Sequence, residues 1–261
     1  SKPLAQCRTR LLCTDEESEM EYLAEIAKPD IALITNIGTM HIENLGSREG
    51  ILHAKLEILE GLHPDGMAVF NGDEPLLWNV RDKGTHKKYY FGIDNPSCDV
   101  VASGIQELDD GMRFHVSGFH HEFELFVPAL GRHMVYNALA AASLAMILGI
   151  EKDAIREGLE SVLNVPGRVE VLDTRTPYKV ILDYAHSPDA LQNVLTTVRA
   201  FTKKRLIALF GCGGDRDHGK RPIMGEIVGR LADFSILTSD NPRTEDPNLI
   251  LKSIEEGMKK T

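Results

Sequence analysis

The chain has 261 residues, with 39 acidic against 29 basic side chains and a formal net charge of −10 at pH 7. No Lys/Arg stripe appears, which argues against nucleic acid or an anionic membrane surface as the main partner. Its longest apolar runs, about eight residues, fall far short of the roughly 20 that a membrane span needs. Cys7, Cys13, Cys98 and Cys212 fall into no CxxC or zinc spacing. With no apolar h-region of a secretory signal near the start, reduced thiols in a cytoplasm are the expectation.

The predicted elements run as follows. Ser18-Glu-Met-Glu21 has capping-box spacing and opens a short helix through Ala27, which Pro29 ends. "DIALITNIG" (30–38) reads as a buried strand. Ser47 can cap a helix over 48–62, and "MAVFN" (67–71) returns as a strand. The β-rich runs "KKYYFGI", "CDVVASGIQEL" and "MRFHVSGF–HEFELFVP" follow, the last preceded by the turn "DDG". An Ala-rich helix at about 132–148 and a second at about 151–163 close this half. After "NVPGR" (164–168), strands "YKVILDYAH", "RLIALFGCGG" and "FSILTSDN" alternate with helices at about 188–201, 221–231 and 247–259. That alternation predicts an α/β fold with a parallel sheet under covering helices. The domain boundary is expected near residue 166.

The loop "FGCGGDRDHGKRP" (210–222) carries the first chemical signal. From Gly214 it reads G-x-x-x-x-G-K-R, one residue away from a phosphate-cradling P-loop. Where a P-loop places the Ser or Thr that holds Mg²⁺, this chain has Arg221, which would repel a metal. Asp215 and Asp217 would put two negative charges inside the cradle. A strand feeding a Gly-rich turn before a helix still suits an anion or small ligand. Alternating Asp and Arg fit a zwitterion better than a triphosphate, and a merely structural turn is the competing reading.

With this loop, "DYAHSPDAL" (183–191) and "SDNPRTEDP" (239–247) give a C-terminal half that resembles the Mur ligases, the ATP-dependent amide ligases of peptidoglycan precursor synthesis. Within that family these segments are similar to the branch that adds the third amino acid to UDP-N-acetylmuramoyl-dipeptide. "ITNIGTMHIENLGSREGILHAKLEIL" (34–59) and "GRHMVYNALAAASLAMILG" (131–149) look more like the central domain of the D-Ala-D-Ala-adding branch. The resemblance implies a partial ATP-binding central domain over 1–166, mostly parallel sheet with a small antiparallel one. It implies a Rossmann-like amino-acid-binding domain over 167–261. It also implies ATP and Mg²⁺ as cofactors, a UDP-N-acetylmuramoyl-peptide as substrate, and an amine that attacks an acyl phosphate to give an amide.

The same resemblance assigns residues. His41 and Lys55 would hold magnesium, Lys55 as a carbamate. Read alone, Lys55 lies on the stripe Ile51, Lys55, Leu59 and would simply snorkel. Asn71 in "FNGDEP" would lie near the nucleotide or merely build a turn. Asn137 would touch adenine, while Met134 stands where the family has a second asparagine. Arg168 would reach the γ-phosphate and Asp183 the ribose, with surface ion pairs or N-caps as the plain alternatives. His186 lies beside them without an assigned role. Arg216, Asp240, Asn241 and Arg243 would bind the incoming amino acid, and "DNPR" points to meso-diaminopimelate, whose distal carboxylate an arginine can grip bidentately. His115, His120 and His121 read as structural or exposed.

The sequence contains no G-T-x-G-K-T, no counterpart of the family's "GKGHE" element and no UDP-binding domain. Its first residues offer Asp15, Glu16 and Glu17 in a poor strand context, where the family has a magnesium-binding glutamate. The expectation is an internal piece of a ligase with little activity alone. Two alternatives stand beside it: a catalytically dead binding or regulatory module, and a ligase of the superfamily with another substrate, such as a folylpolyglutamate or cyanophycin synthetase.

Overall fold

A computed structural model describes Leu12 and residues 18–38, 42–108, 110–161 and 165–261. The chain divides into two compact units. One comprises the residues up to Gly104 with Phe114–Leu125 and Tyr136–Glu157; the other comprises Ile105–Arg113, Phe126–Val135 and Gly158–Thr261.

Six strands form one sheet in chain order: β1 (Ile31–Ile34), β2 (Met67–Asn71), β3 (Lys87–Gly92), β4 (Val100–Leu108), β5 (Gly111–Gly118) and β6 (His121–Val127). The first four pair in parallel. Ala68, Val69 and Phe70 of β2 are wholly buried, which explains why this strand reads as an unbroken apolar run. Between β5 and β6, Phe119 and His120 have φ of 47° and 65°. A two-residue link with both φ positive makes an antiparallel hairpin whose twist matches its strands.

Helices α1 (Glu19–Ala27), α2 (Ile42–Leu45), α3 (Arg48–Leu56) and α4 (Pro75–Trp78) accompany these strands. The predicted Ser18 capping box does not form. Ser18 has φ 65° and makes no side-chain cap, and the N–H groups of Ser18 and Glu21 donate to the Glu57 carboxylate instead. An acceptor from another helix thus satisfies these amides. The helix predicted over 48–62 stays α-helical to Leu56, then tightens into a 3₁₀ turn at Glu57–Leu59. Ser47 does cap it, accepting from Gly50 N at 3.1 Å.

The strand predicted over 30–38 ends at Ile34, and its continuation is held by side chains. The carbonyls of Thr35, Asn36 and Ile37 accept from Asn71 Nδ2 (3.1 Å), Lys55 Nζ (2.8 Å) and Arg48 Nη2 (2.8 Å). Arg48 is fixed in turn by Glu74, both oxygens lying 2.8 Å from Nη2. Helix α5 (Arg132–Ile147) buries Val135, Ala138, Leu139, Ala142 and Met146, a 3.6-residue stripe. Helix α6 (Lys152–Glu160) follows it.

The second unit holds β7 (Glu170–Leu172), β8 (Val180–Leu182), α7 (Pro188–Phe201), β9 (Ile207–Phe210), α8 (Lys220–Leu231), β10 (Phe234–Leu237) and α9 (Pro247–Met258). Ser187 and Asp246 cap α7 and α9, each followed by proline at the first helical position. Leu191, Leu195, Val198, Met224, Val228, Ile250 and Ile254 build the core beneath these helices. Helices α8 and α9 approach closely: a Cβ at Gly257 would lie 1.8 Å from Pro222 O.

The parallel sheet predicted for this half is only partly formed. Strands β9 and β10 pair in parallel, whereas β8 pairs antiparallel with β7 in a separate two-stranded sheet. Residues 170–172 carry no strong strand signal in the sequence; lying seven residues before β8, they satisfy its backbone locally. One face of β9 and β10 stays open: Ile207, Leu209, Phe234 and Ile236 are exposed.

Candidate functional site

The P-loop-like glycines are explained by a second loop. The segment after β9 (211–219) lies against the segment after β10 (238–246). Gly214 N donates to Asn241 O at 2.9 Å, and Arg243 Nη1 donates to Gly214 O at 2.6 Å. A Cβ at Gly214 would stand 1.9 Å from Pro242 O, so only glycine allows this approach. The glycines serve backbone contact between two loops, and no phosphate cradle is needed to account for them.

Charges tie the same loops. Arg221 is 3% exposed and forms a fork on Glu245, with Nη1 to Oε2 at 2.9 Å and Nη2 to Oε1 at 2.7 Å. Its Nη2 also reaches Gly213 O at 3.4 Å, while Nε has no hydrogen-bond partner among the described residues. Glu245 Oε1 accepts from Asp215 N at 2.5 Å and lies 3.2 Å from His218 Nε2. The Arg221 guanidinium, then the Asp215 N–H, push the Glu245 carboxyl down to about 2. Asp215 reaches back, accepting from Thr244 Oγ1 at 2.8 Å and from Thr244 N at 3.1 Å. Asp217 accepts from Gly219 N at 2.7 Å. The two aspartates that spoil a phosphate cradle therefore have other work.

The predicted amino-acid residues sit on this paired scaffold. Asp240, Asn241 and Arg243 follow β10, and Arg216 lies between Asp215 and Asp217; all four are exposed. Arg243 has φ 51° and its N–H donates to Asn241 Oδ1 at 3.3 Å. Arg216 makes no hydrogen bond or ion pair with a described residue, which leaves its guanidinium for a ligand.

Arg168 and Asp183 lie in the same unit. The Asp183 carboxylate accepts from Val169 N at 2.8 Å and from Ala185 N at 2.7 Å, so it pins the turn after Arg168 to the end of β8. Arg168 is exposed and lies over the Tyr184 ring, 5.4 Å from its centroid. It lines a cavity of about 220 Å³ with Asp110, Leu130, Met134 and Val169. His186 packs edge-on against Tyr184, and its carbonyl accepts from Lys220 Nζ at 3.0 Å. Burial pushes the His133 pKa down, against the pull of Asp183.

In the first unit, Lys55 is half-buried and ties α3 to Asn36, and Asn71 is buried. Both polar ends of Asn71 are engaged, Nδ2 on Thr35 O and Oδ1 accepting from Asp73 N at 3.0 Å. Asn137 lies exposed on α5. Its neighbour Tyr136 donates to Asp73 Oδ2 at 2.8 Å. His41 and the acidic residues 15–17 lie outside the described residues. Among the described residues no three His, Cys, Asp or Glu side chains gather at metal-binding distance, and His115, His120 and His121 form no such group. No helix among them is long and apolar enough to cross a membrane.

Sequence reasoning missed Glu245, Asp73 and Tyr136, and it singled out Arg221 only as a departure from a P-loop, without its partner. Glu245 had a faint signal, an acid two residues beyond "DNPR". Asp73, Tyr136 and Arg221 act through tertiary contacts that sequence spacing does not show.

The Mur ligase middle domain pattern matches residues 13–145, and that of the Mur ligase glutamate ligase domain matches residues 167–261. The chain belongs to the Mur ligase family. It is 37% identical over 231 residues to a UDP-N-acetylmuramoyl-L-alanyl-D-glutamate–2,6-diaminopimelate ligase of Clostridium botulinum, covering 88% of this chain and 47% of that protein. The ligase of the same name from Syntrophomonas wolfei is 37% identical over 262 residues, covering 95% and 53%. The chain thus spans about half the length of these curated relatives. Among solved structures, one of a diaminopimelate ligase of that name is 30% identical with a TM-score of 0.59, covering 91% of this chain and 50% of that one. A MurF from Acinetobacter baumannii, 24% identical over 94% of this chain and 52% of its own, has a TM-score of 0.76, a likeness of fold alone.

Proposed function

We propose that this chain carries the amino-acid-binding and part of the nucleotide-binding machinery of an ADP-forming ligase. That ligase would join meso-diaminopimelate to a UDP-N-acetylmuramoyl-dipeptide in the cytoplasm. The observation that supports this most is the paired loop scaffold, which brings Asp215–Arg216 beside Arg243–Thr244 through the Asp215–Thr244 contact. Diaminopimelate ligases run across both halves of the chain at 37% identity. This favours one ancestry for both halves over a join of two branches.

The chain's own groups divide the work by charge. Arg216 and Arg243 supply cations for the two carboxylates of the amino acid, and Asp240 an anion for an ammonium. Held this way, the remaining amine is presented forward and loses little freedom on reaction. Arg168 would neutralise charge at a transferring phosphoryl group. In the first unit, Asn137 would touch the nucleotide base and Asn71 would brace the turn beside it; in the second, Asp183 would accept from a ribose. Asp183 keeps free lone pairs, because each oxygen accepts one backbone N–H.

Bound ATP and Mg²⁺ would supply the phosphoryl group and neutralise its oxygens. His41 and Lys55 would hold the metal. As an ammonium, Lys55 donates to Asn36 O and repels a cation. The donor set fits magnesium once the amine has been converted to a carbamate, which offers two oxygens.

The test is calorimetric titration of the chain with meso-diaminopimelate and with L-lysine, which lacks the distal carboxylate. The reading expects diaminopimelate to bind at least about tenfold more tightly, the worth of roughly one charge-assisted contact. Equal affinities, or binding of neither, would refute it.

A further inference from the structure

Arg221 and Glu245 are charged side chains in the middle of the scaffold, yet neither belongs to the set assigned to the amino acid. Arg221 is 3% exposed and its full fork is spent on Glu245. Glu245 collects two further ties, Asp215 N and the His218 ring, while Arg221 Nη2 also reaches the carbonyl of Gly213. The two groups it gathers from the first loop, Asp215 and His218, lie one and two residues from Arg216. On its own loop, Glu245 stands two residues beyond Arg243.

Two backbone positions show what this arrangement must hold. Asp215 and Arg243 both sit in the left-handed region, at φ 52° and 51°, next to or at the arginines assigned to the ligand. Non-glycine residues stay there only where the surroundings over-determine them. Asp215 is fixed through its N–H by Glu245 and through its carboxylate by Thr244; Arg243 is fixed by Asn241 and by Gly214 O.

We propose that Arg221 and Glu245 form a partly buried latch that positions Arg216 and Arg243 and thereby sets selectivity for a dicarboxylic amino acid. The proposal rests on the amino-acid-binding reading above and adds to it the residues that hold the selective geometry. Both are positioning residues, since Arg221 is sealed from solvent and the Glu245 carboxylate is committed to three groups. Severing the latch frees Arg243 to swing away from the distal carboxylate. The contacts shared by any amino acid are left largely in place.

Glu245→Gln is the suitable probe: it keeps the shape and one acceptor oxygen but removes the charge. Titrations of wild type and variant with meso-diaminopimelate and L-lysine give the ratio of the two affinities. Partial unfolding lowers both affinities together and leaves the ratio alone, whereas a positioning role moves the ratio. The latch predicts that Glu245→Gln cuts a tenfold preference for diaminopimelate to less than threefold while circular dichroism stays unchanged. Arg221→Lys, which retains the charge but loses the fork, should keep more of the preference than Glu245→Gln does. A preference kept within twofold of wild type overturns the latch and leaves the amino-acid reading standing. If wild type binds neither ligand, the amino-acid reading fails instead. Hydrogen exchange at the Asp215 amide then decides the latch alone: faster exchange in Glu245→Gln supports it, and unchanged exchange overturns it.

Discussion

Replacing Asp73 by asparagine tests how the turn after β2 is organised. One carboxylate oxygen, Oδ2, accepts from Ile93 N (2.6 Å), Asp94 N (3.0 Å) and the Tyr136 hydroxyl (2.8 Å), and Oδ1 accepts from Asn95 N (2.7 Å). Burial pushes its pKa up, but the N–H groups and the phenol outweigh that and hold it below the usual carboxylate range. In Asp73→Asn the amide oxygen can take the three-donor position, leaving the NH₂ against Asn95 N. That donor–donor contact costs about 1–3 kcal/mol, and three charge-assisted bonds become neutral at up to about 1 kcal/mol each. Discounting for partial exposure, the loss is about 2–4 kcal/mol.

Trp78 is the chain's single tryptophan and packs edge-on against Tyr90, 5.0 Å away. Its fluorescence in urea therefore reports on this unit. With a slope of about 2 kcal/mol per molar, the midpoint should fall by about 1–2 M. The difference between wild type and variant should be full above the unfolded Asp value of about 3.9. It should vanish as pH falls through the lower folded value. A loss under about 0.5 kcal/mol, or a difference that grows in acid, would refute the reasoning.

Three other outcomes follow from the same geometry. Cys98 lies beside Gly72 and Gly92, and burial, then Asp73 and Asp99, push its thiol up to about 12; native protein at pH 8 should leave it unlabelled by a disulfide reagent that modifies it in urea. Gly214→Ala would place a Cβ 1.9 Å from Pro242 O, so it should separate the two loops and abolish amino-acid binding while Trp78 unfolding stays unchanged. Lys55→Met removes the bond to Asn36 O and the amine that a carbamate needs; anomalous diffraction from crystals soaked in Mn²⁺ should then lose any metal signal that the wild type shows near residue 55.

Much of the fold was legible because its signals are local. The 67–71 and 188–201 elements appear at their predicted bounds, the first as an unbroken apolar run, the second between Ser187-Pro188 and a closing apolar turn. Where the reading failed, a distant residue had intervened. Ser18 loses its capping role to Glu57, and the strand from Asp30 is cut short because side chains, not a neighbouring strand, take its last carbonyls. Strand β8 is drawn to β7, whose three residues carry no strong strand signal. In the candidate site, the arginines of "GDRD" and "DNPR" were visible as motifs. The latch beneath them was not, because Arg221 and Glu245 are 24 residues apart and meet only once both loops have folded.

A crystal structure of the chain with meso-diaminopimelate tests the central claim most directly. The account predicts the amino acid between the segments after β9 and β10, its distal carboxylate on Arg243 and its other carboxylate within reach of Arg216. Diaminopimelate bound elsewhere, or L-lysine held in the same place by the same contacts and with equal occupancy, would contradict it.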